Sequence, residues 1–154
     1  MASKPLQRSK KYLEERGYYC EKVEQWITRP GLPGGGFRKD FLGIIDLLAF
    51  HKDHILGVQC CAGSGYSAHV KKLMEEKREQ TELFLSYPYT RLEIHAWRQL
   101  VKVRGKKAKH WVPKICVIDE SDLCEHEWGK PFSWGNHRHH ECEKCSVVSD
   151  IQGG

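Results

Sequence analysis

The chain has 154 residues, 40% of them hydrophobic and 29% charged, and its formal net charge is +5. These proportions are typical of a soluble globular protein and exclude a disordered chain. No apolar run reaches the length needed to span a bilayer, and the first residues lack the apolar stretch of a secretory signal, so we expect a cytoplasmic protein that does not bind membranes. In that compartment the seven cysteines should be reduced, which favours thiol ligands over disulfides.

The first part of the chain has the pattern of one helix followed by three strands. The predicted elements are a helix at 6–16, a strand at 18–27, an irregular loop at 29–38 and apolar strands at 41–50 and 55–61. Gly17 is a plausible terminator of the helix, and the loop is too rich in Gly and Pro for regular structure. A short polar turn separates the two apolar strands, which predicts a buried β-hairpin.

A second helix and further strands are predicted before the C-terminal tail. Ser67 follows a Gly-Ser-Gly break and is expected to cap a helix that reaches about residue 85, because an apolar stripe recurs along it at helical spacing. Strands are expected at 92–96, 100–104 and 111–118. The acidic residues 119–122 then indicate a linker. The sequence therefore predicts a larger domain, 1–118, and a small C-terminal module, 119–154.

The tail contains a set of residues with the spacing of a zinc site. Cys124 and His126 are followed, after fifteen residues, by Cys142 and Cys145. Thiolate and imidazole ligands suit tetrahedral Zn²⁺, and four protein ligands leave no open position, so we predict a structural zinc ion that stabilises a module with few apolar residues. A neighbouring histidine could replace His126 as the fourth ligand; the candidates are His137, His139 and His140.

A carboxylate in the middle of a buried strand is the most unusual feature of the larger domain. Asp46 interrupts the apolar run 41–50, and a buried carboxylate needs a metal, a cation or several hydrogen-bond donors. In the neighbouring strand Gln59 is polar, and Cys61, two residues on, should face the same side of the sheet. This combination of polar groups on paired strands indicates an active site.

The order of elements and these residues resemble the PD-(D/E)XK nuclease superfamily, and in particular the small Holliday-junction-resolvase-like nucleases of archaea and phages. The resemblance covers roughly residues 5–100 and is carried by Asp46 and the segment Gln59-Cys-Cys61. It implies an α/β fold with a restriction-endonuclease-like αβββαβ core and a mixed central sheet. It also implies that Asp46 and Gln59 bind Mg²⁺ for the hydrolysis of DNA and that the protein forms a homodimer. A phage protein of this kind would work in the cytoplasm of its host.

The chain departs from the pattern of that superfamily at two positions. Gln59 stands where the superfamily usually has Glu or Asp, although its carbonyl oxygen can still bind Mg²⁺. Cys61 stands where the superfamily has Lys. Lys71 or Lys72, on the next predicted helix, could supply the missing cation, as similar lysines do in some branches of the superfamily.

Basic residues indicate a binding surface for nucleic acid. Residues 98–114 contain seven Lys or Arg and no acidic residue. Such a concentration favours a polyanion as partner, because Lys and Arg displace counterions from phosphates. The residues expected to contact DNA are Arg38, Lys39, Lys102, Arg104, Lys106, Lys107 and Lys109.

Three functions are compatible with these features. The first is a Mg²⁺-dependent endodeoxyribonuclease, with branched or phage DNA as a candidate substrate. The second is a nuclease-fold module that binds nucleic acid or a partner protein without cleaving it, which the residues Gln59 and Cys61 favour. The third is thiol chemistry at Cys60 and Cys61, which lack an evident activating base.

Overall fold

The computed structural model describes residues 3–123, 127, 129–135, 137–141, 143 and 148–150. The chain divides into two compact units, 1–118 and 119–154. No helix within the described residues is long and apolar enough to cross a membrane.

The described residues of the first unit form three α-helices and seven strands. In chain order they are α1 (Lys4–Glu14), β1 (Tyr19–Lys22), β2 (Gln25–Thr28), β3 (Gly36–Lys39), β4 (Leu47–Phe50), β5 (Ile55–Ala62), α2 (Tyr66–Lys71), α3 (Arg78–Leu85), β6 (Thr90–Val101) and β7 (Lys109–Ile118). A π-helical turn, Lys72–Glu76, lies between α2 and α3.

Five of the strands form one mixed sheet in the order β1-β4-β5-β6-β7. β5 and β6 run parallel because the helical segment α2–α3 carries the chain from one to the other, and the remaining pairs are antiparallel. The predicted α/β class, the mixed sheet and the β4–β5 hairpin are therefore confirmed. Strands β2 and β3 form a separate two-stranded sheet.

Three predictions for the first part of the chain are wrong in detail. The strand predicted at 18–27 is two strands, β1 and β2, which belong to different sheets. The strand predicted at 41–50 is regular only over β4, because residues 42–44 form a turn in which Gly43 has φ +73°. The segment 29–38, predicted to be irregular, contributes most of β3.

The helix predicted from Ser67 to residue 85 is broken. Ser67 lies inside α2 and does not cap it, since Gly65 occupies the N-cap position. The π-helical turn follows, and the Thr81 hydroxyl donates a hydrogen bond of 2.8 Å to the carbonyl oxygen of Leu73. At this interruption of the helix, the hydroxyl takes the place of a main-chain N–H group and satisfies the carbonyl oxygen of Leu73. The strands predicted at 92–96 and 100–104 are a single strand, β6, which forms a hairpin with β7.

Helix α1 packs on one face of the main sheet around a buried polar network. Ser9 Oγ accepts a hydrogen bond from Trp97 Nε1 at 2.8 Å and lies 3.2 Å from His95 Nδ1. His95 Nε2 in turn lies 2.9 Å from a carboxylate oxygen of Glu93. The chain of contacts from Ser9 through His95 to Glu93 resembles a Ser-His-acid relay. Ser9 and His95 are fully buried, however, so no substrate can reach the Ser9 hydroxyl. The network fixes α1 on the sheet.

Strand β7 forms one edge of the main sheet within the described residues. It is ten residues long and contains Pro113, which lies opposite Trp97 of β6. Proline lacks a backbone N–H and is therefore confined to edge strands and bulges.

The second unit contains a short helix, α4 (Glu120–Leu123), and a three-stranded antiparallel sheet of β8 (Phe132–Trp134), β9 (His137–Glu141) and β10 (Val148–Asp150). The linker predicted at 119–122 is thus mostly helical. The alternative zinc ligands His137, His139 and His140 lie in β9. The predicted zinc ligands Cys124, His126, Cys142 and Cys145 lie outside the described residues.

Candidate functional site

Asp46 lies at the start of β4, where the two sheets of the first unit meet. Its N–H donates to the carbonyl of Val58 on β5 at 3.0 Å, and its carbonyl accepts hydrogen bonds from the N–H groups of Val23 and Glu24. The side chain is buried, with 6% exposure. Its Oδ2 accepts two hydrogen bonds, from Gln59 Nε2 at 2.6 Å and from the Cys60 N–H at 2.8 Å. Both of these donors thus contact the same carboxylate oxygen.

Two further carboxylates approach Asp46. Glu24 lies in the connection between β1 and β2, and the hydrogen bond from its N–H to the Asp46 carbonyl places it beside β4. Asp40 follows β3 directly and begins the turn that leads to Asp46. One carboxylate oxygen of each of the three residues lies within 4.8 Å of the others. The side chains of Glu24 and Asp40 are mostly buried, at 8% and 17% exposure.

One lysine completes the cluster. Lys72 Nζ donates to Asp40 Oδ2 at 3.0 Å and to Gln59 Oε1 at 3.3 Å. Gln59 therefore bridges Lys72 and Asp46, with its oxygen toward the cation and its amide nitrogen toward the carboxylate. Lys72 is the first residue of the π-helical turn, a type of interruption that is frequent at functional sites. We call Glu24, Asp40, Asp46, Gln59 and Lys72 the carboxylate cluster.

The electrostatics of the cluster favour binding of a cation. Burial, together with the neighbouring charges of Asp40 and Glu24, raises the pKa of Asp46 to about 7, and the hydrogen bond from the Cys60 N–H opposes part of this shift. Lys72 and Arg38, whose guanidinium lies 3.2 Å from Glu24, supply positive charge at the edge of the cluster. Three acids that share so small a volume repel one another, so one proton or one metal ion between them lowers the free energy.

The structure separates the remaining predicted residues of the site. Lys71 is exposed and takes no part in the contacts of Lys72. Cys61 is buried beside the start of α2. Its Cβ would lie 3.6 Å from a Cβ atom added to Gly65. Burial raises the pKa of the Cys61 thiol to about 11 and raises that of Cys60 further. Both thiols are therefore protonated near neutral pH, which argues against thiol chemistry at this position.

Sequence reasoning missed Glu24 and Asp40. Glu24 stood within the strand predicted at 18–27, and no local pattern distinguishes it from the other polar residues there. Asp40 carries a weak signal, because it is an acid at the end of the Gly- and Pro-rich loop and lies six residues before Asp46. Glu24 and Asp40 flank the β2–β3 hairpin, and the hydrogen bond from the Glu24 N–H to the Asp46 carbonyl together with the turn that follows Asp40 brings the two acids to Asp46.

Comparison of the chain with protein-family models, with curated proteins and with solved structures finds no match. One fold can host many chemistries, so the fold alone does not identify a function. Function is therefore inferred from the carboxylate cluster and from the charge of the neighbouring surfaces.

The predicted basic surface forms the exposed end of the β6–β7 hairpin. The side chains of Lys102, Arg104, Lys106, Lys107 and Lys109 are all exposed there. A cleft of about 480 Å³ lies between this hairpin and the start of α2, and Arg98, Trp111 and Lys114 line it. Arg38 and Lys39, also exposed, lie on β3 directly before Asp40. The structure thus places basic residues on β3 and on the hairpin, and an aromatic side chain in the cleft.

Proposed function

We propose that the protein is a metal-dependent nuclease that hydrolyses phosphodiester bonds in DNA, including branched DNA. The observation that carries the proposal is the convergence of Glu24, Asp40 and Asp46 beside the ammonium group of Lys72. Further support comes from the element order along the main sheet. Read without the β2–β3 hairpin it is α-β-β-β-α-β, the order expected of a PD-(D/E)XK core.

The donor atoms of the cluster fit a hard divalent cation. They are carboxylate oxygens, the ligands that Mg²⁺ and Mn²⁺ prefer, and Mg²⁺ sites typically use few protein ligands and keep several waters. We assign Glu24, Asp40 and Asp46 as the residues that would hold the ion. Gln59 acts as a positioning residue, because its Oε1 faces Lys72 and its Nε2 holds Asp46. When bound, such an ion polarises a phosphate oxygen and lowers the pKa of a water molecule.

The protein's own residues would position the reacting groups. Lys72 can neutralise the charge that develops on the phosphate, as a lysine does in the superfamily that the chain resembles. The exposed lysines and arginines of the β6–β7 hairpin can bind the phosphate backbone on either side, without reading its sequence. Hydrolysis adds the water oxygen to phosphorus and breaks one P–O bond, which leaves one hydroxyl and one phosphomonoester.

Substitutions in the cluster test the proposal. Asp46→Asn keeps the acceptor for Gln59 and Cys60 but removes the charge, so we expect it to abolish cleavage of duplex and junction DNA with Mg²⁺ or Mn²⁺. Lys72→Ala should lower the cleavage rate by roughly 10²- to 10³-fold, because it removes the cation beside the reacting phosphate. The measurement is the rate of product formation on gels with labelled DNA.

Lys71→Ala is the matched control, since it removes an exposed lysine one residue away and should leave the rate unchanged. Circular dichroism of each variant separates a loss of activity from a loss of fold. Cleavage by the Asp46→Asn variant at the wild-type rate would overturn the assignment.

A non-cleaving module that binds nucleic acid is the second candidate function. Cys61, a protonated thiol where the resembled superfamily has a lysine, and the ion pair that already engages Lys72 with Asp40 favour it. This function predicts DNA binding that weakens with salt while no hydrolysis occurs with Mg²⁺ or Mn²⁺ on duplex, single-stranded or junction DNA. Asp46→Asn would then leave the binding constant unchanged.

A further inference from the structure

A second group of metal-binding side chains lies in the turn between β4 and β5. The turn is closed by a hydrogen bond of 3.0 Å from the His51 N–H to the carbonyl of His54. In so short a hairpin the flanking residues project from one face, and the two imidazole rings stack with their centroids 5.4 Å apart. Asp53 completes the group. We call His51, Asp53 and His54 the turn cluster.

The three ligand atoms of the turn cluster already converge. One ligand atom of each of the three residues lies within 4.8 Å of the others. His51 Nδ1 and His54 Nδ1 both approach Asp53 Oδ1. Asp53 Oδ1 is 3.4 Å from the first nitrogen and 2.6 Å from the second. In a tetrahedral zinc site, where each metal–nitrogen bond is about 2.0–2.1 Å long, neighbouring ligand atoms are separated by about 3.3 Å. The closer pair thus has to open by only about 0.7 Å to accept an ion.

Tyr18 is placed to support one ligand. Its hydroxyl lies 2.8 Å from His54 Nε2, the nitrogen that faces away from Asp53. A histidine that binds a metal through Nδ1 carries its proton on Nε2, and that N–H normally donates to a fixed acceptor, which orients the ring. The Tyr18 hydroxyl can serve as this acceptor, because a hydroxyl both donates and accepts. His54 is buried, so its ring is held in position before any ion binds.

The turn cluster is separate from the carboxylate cluster. It lies at the opposite end of β4 from Asp46, about 17 Å along the strand at 3.4 Å per residue. A hollow of about 370 Å³ at the turn, lined also by Lys52, Ile55 and Tyr89, gives solvent and ions access to it. The turn cluster also differs from the carboxylate cluster in the metal it should prefer, because its two imidazoles supply nitrogen ligands, which favour transition metals over Mg²⁺.

We propose that His51, Asp53 and His54 bind one divalent transition metal ion of the zinc type, with Tyr18 as a supporting residue. Three protein ligands leave at least one coordination position for water or for a ligand from outside the chain. This site is independent of the proposed nuclease function, because it shares no residue with the carboxylate cluster.

The test measures zinc bound to the full chain by equilibrium dialysis followed by elemental analysis. Mg²⁺ is kept in excess throughout to occupy the carboxylate cluster, and the predicted zinc ligands of the tail are common to all variants. We expect wild type to bind one more Zn²⁺ per chain than His51→Ala. Asp53→Asn, which keeps an oxygen acceptor for His54, should weaken that extra site at least about tenfold, and Tyr18→Phe should weaken it by about tenfold.

His110→Ala removes an exposed histidine of β7 and serves as the matched control, with binding equal to wild type. A second readout is the imidazole ¹⁵N spectrum, in which Zn²⁺ should leave His54 deprotonated at Nδ1 and protonated at Nε2. If His51→Ala does not fold, Asp53→Asn and the ¹⁵N spectrum decide. Equal zinc stoichiometry and affinity in wild type, His51→Ala and Asp53→Asn, or a His54 Nδ1 that stays protonated with Zn²⁺, would overturn the proposal.

Discussion

Asp46 illustrates how a single residue links stability to function. In the folded protein its pKa is about 7, whereas an unfolded chain would give an ordinary aspartate value. A carboxylate whose pKa is raised by folding holds its proton in the folded state at a pH where the unfolded state has lost it. Ionised Asp46 therefore opposes folding, and the same charge attracts a divalent cation. We therefore expect the carboxylate cluster to be destabilising unless a proton or the proposed metal ion compensates its charge.

We predict that the metal-free protein loses stability as the pH rises from about 4 to about 7, since only the unfolded state ionises at this position in that interval. Above pH 7 both states are ionised and the contribution of Asp46 is constant. Asp46→Asn should remove this dependence and raise the free energy of unfolding at pH 8 by on the order of 2–4 kcal/mol. Urea unfolding of both proteins at several pH values, without Mg²⁺ or Mn²⁺, measures this free energy of unfolding.

Glu79→Gln, which removes an exposed carboxylate of α3, is the control and should keep the wild-type dependence. The same pH dependence in the Asp46→Asn variant would contradict the raised pKa.

At this scale the sequence predicted part of the candidate site. The cost of burying a carboxylate singled out Asp46, and the polar side chain in the apolar strand predicted to pair with it singled out Gln59. Both inferences depend on local rules. These rules did not identify Glu24 and Asp40. Their approach to Asp46 depends on tertiary contacts, such as the hydrogen bond from the Glu24 N–H to the Asp46 carbonyl, which no local pattern predicts.

The helical segment between β5 and β6 shows that prediction from local sequence patterns has the same limit for a whole structural element. Its apolar stripe predicted one helix, and the stripe is indeed what packs on the sheet. No local sequence signal indicated the π-helical turn. A π-helical turn contains one residue more than an α-helical turn, and it is accompanied here by contacts between turns, such as the hydrogen bond from Thr81 to Leu73. Yet this turn begins at Lys72, the residue that contacts the carboxylate cluster, while Lys71 remains exposed.

The β6–β7 hairpin was easier to predict, because a Gly- and Lys-rich turn separates two strand-like segments. We predict that its charge makes DNA binding strongly dependent on salt. Replacing Lys106 and Lys107 by Ala should reduce the slope of log K against log salt by up to about 2, because each phosphate contact contributes about 0.9. Fluorescence anisotropy with a labelled duplex at several salt concentrations measures this slope.

The double variant Lys10→Ala/Lys11→Ala changes the net charge equally, but on α1, and should keep the wild-type slope. Equal slopes in the two double variants would show that the hairpin makes no specific contact with DNA.

For the whole molecule, the two units differ in what can stabilise them. The first has an apolar core on both faces of its sheet. The sequence of the second offers few apolar residues, so we expect the predicted zinc ligands of the tail to supply the missing stability.

We predict that the purified chain retains one tightly bound Zn²⁺ after dialysis against metal-free buffer, and that Cys145→Ser loses it. The variant should lose the unfolding transition of the tail and keep that of the first unit, because the first unit has its own core. Elemental analysis and differential scanning calorimetry measure the two effects. Cys116→Ser, which removes a free thiol of β7, is the control and should retain the ion.

Pro113 has a consequence for how molecules of this protein meet one another at high concentration. An unprotected edge strand of ten residues would be a template on which a second chain could add its own strand and start a fibril. A proline within the strand interrupts the row of donors that such growth requires, and Lys109 and Lys114 add repulsion between copies. Pro113 and the two lysines therefore oppose continuation of the sheet into a second chain at β7, so we do not expect a homodimer of the kind that the nuclease resemblance implies to form by pairing of β7 strands.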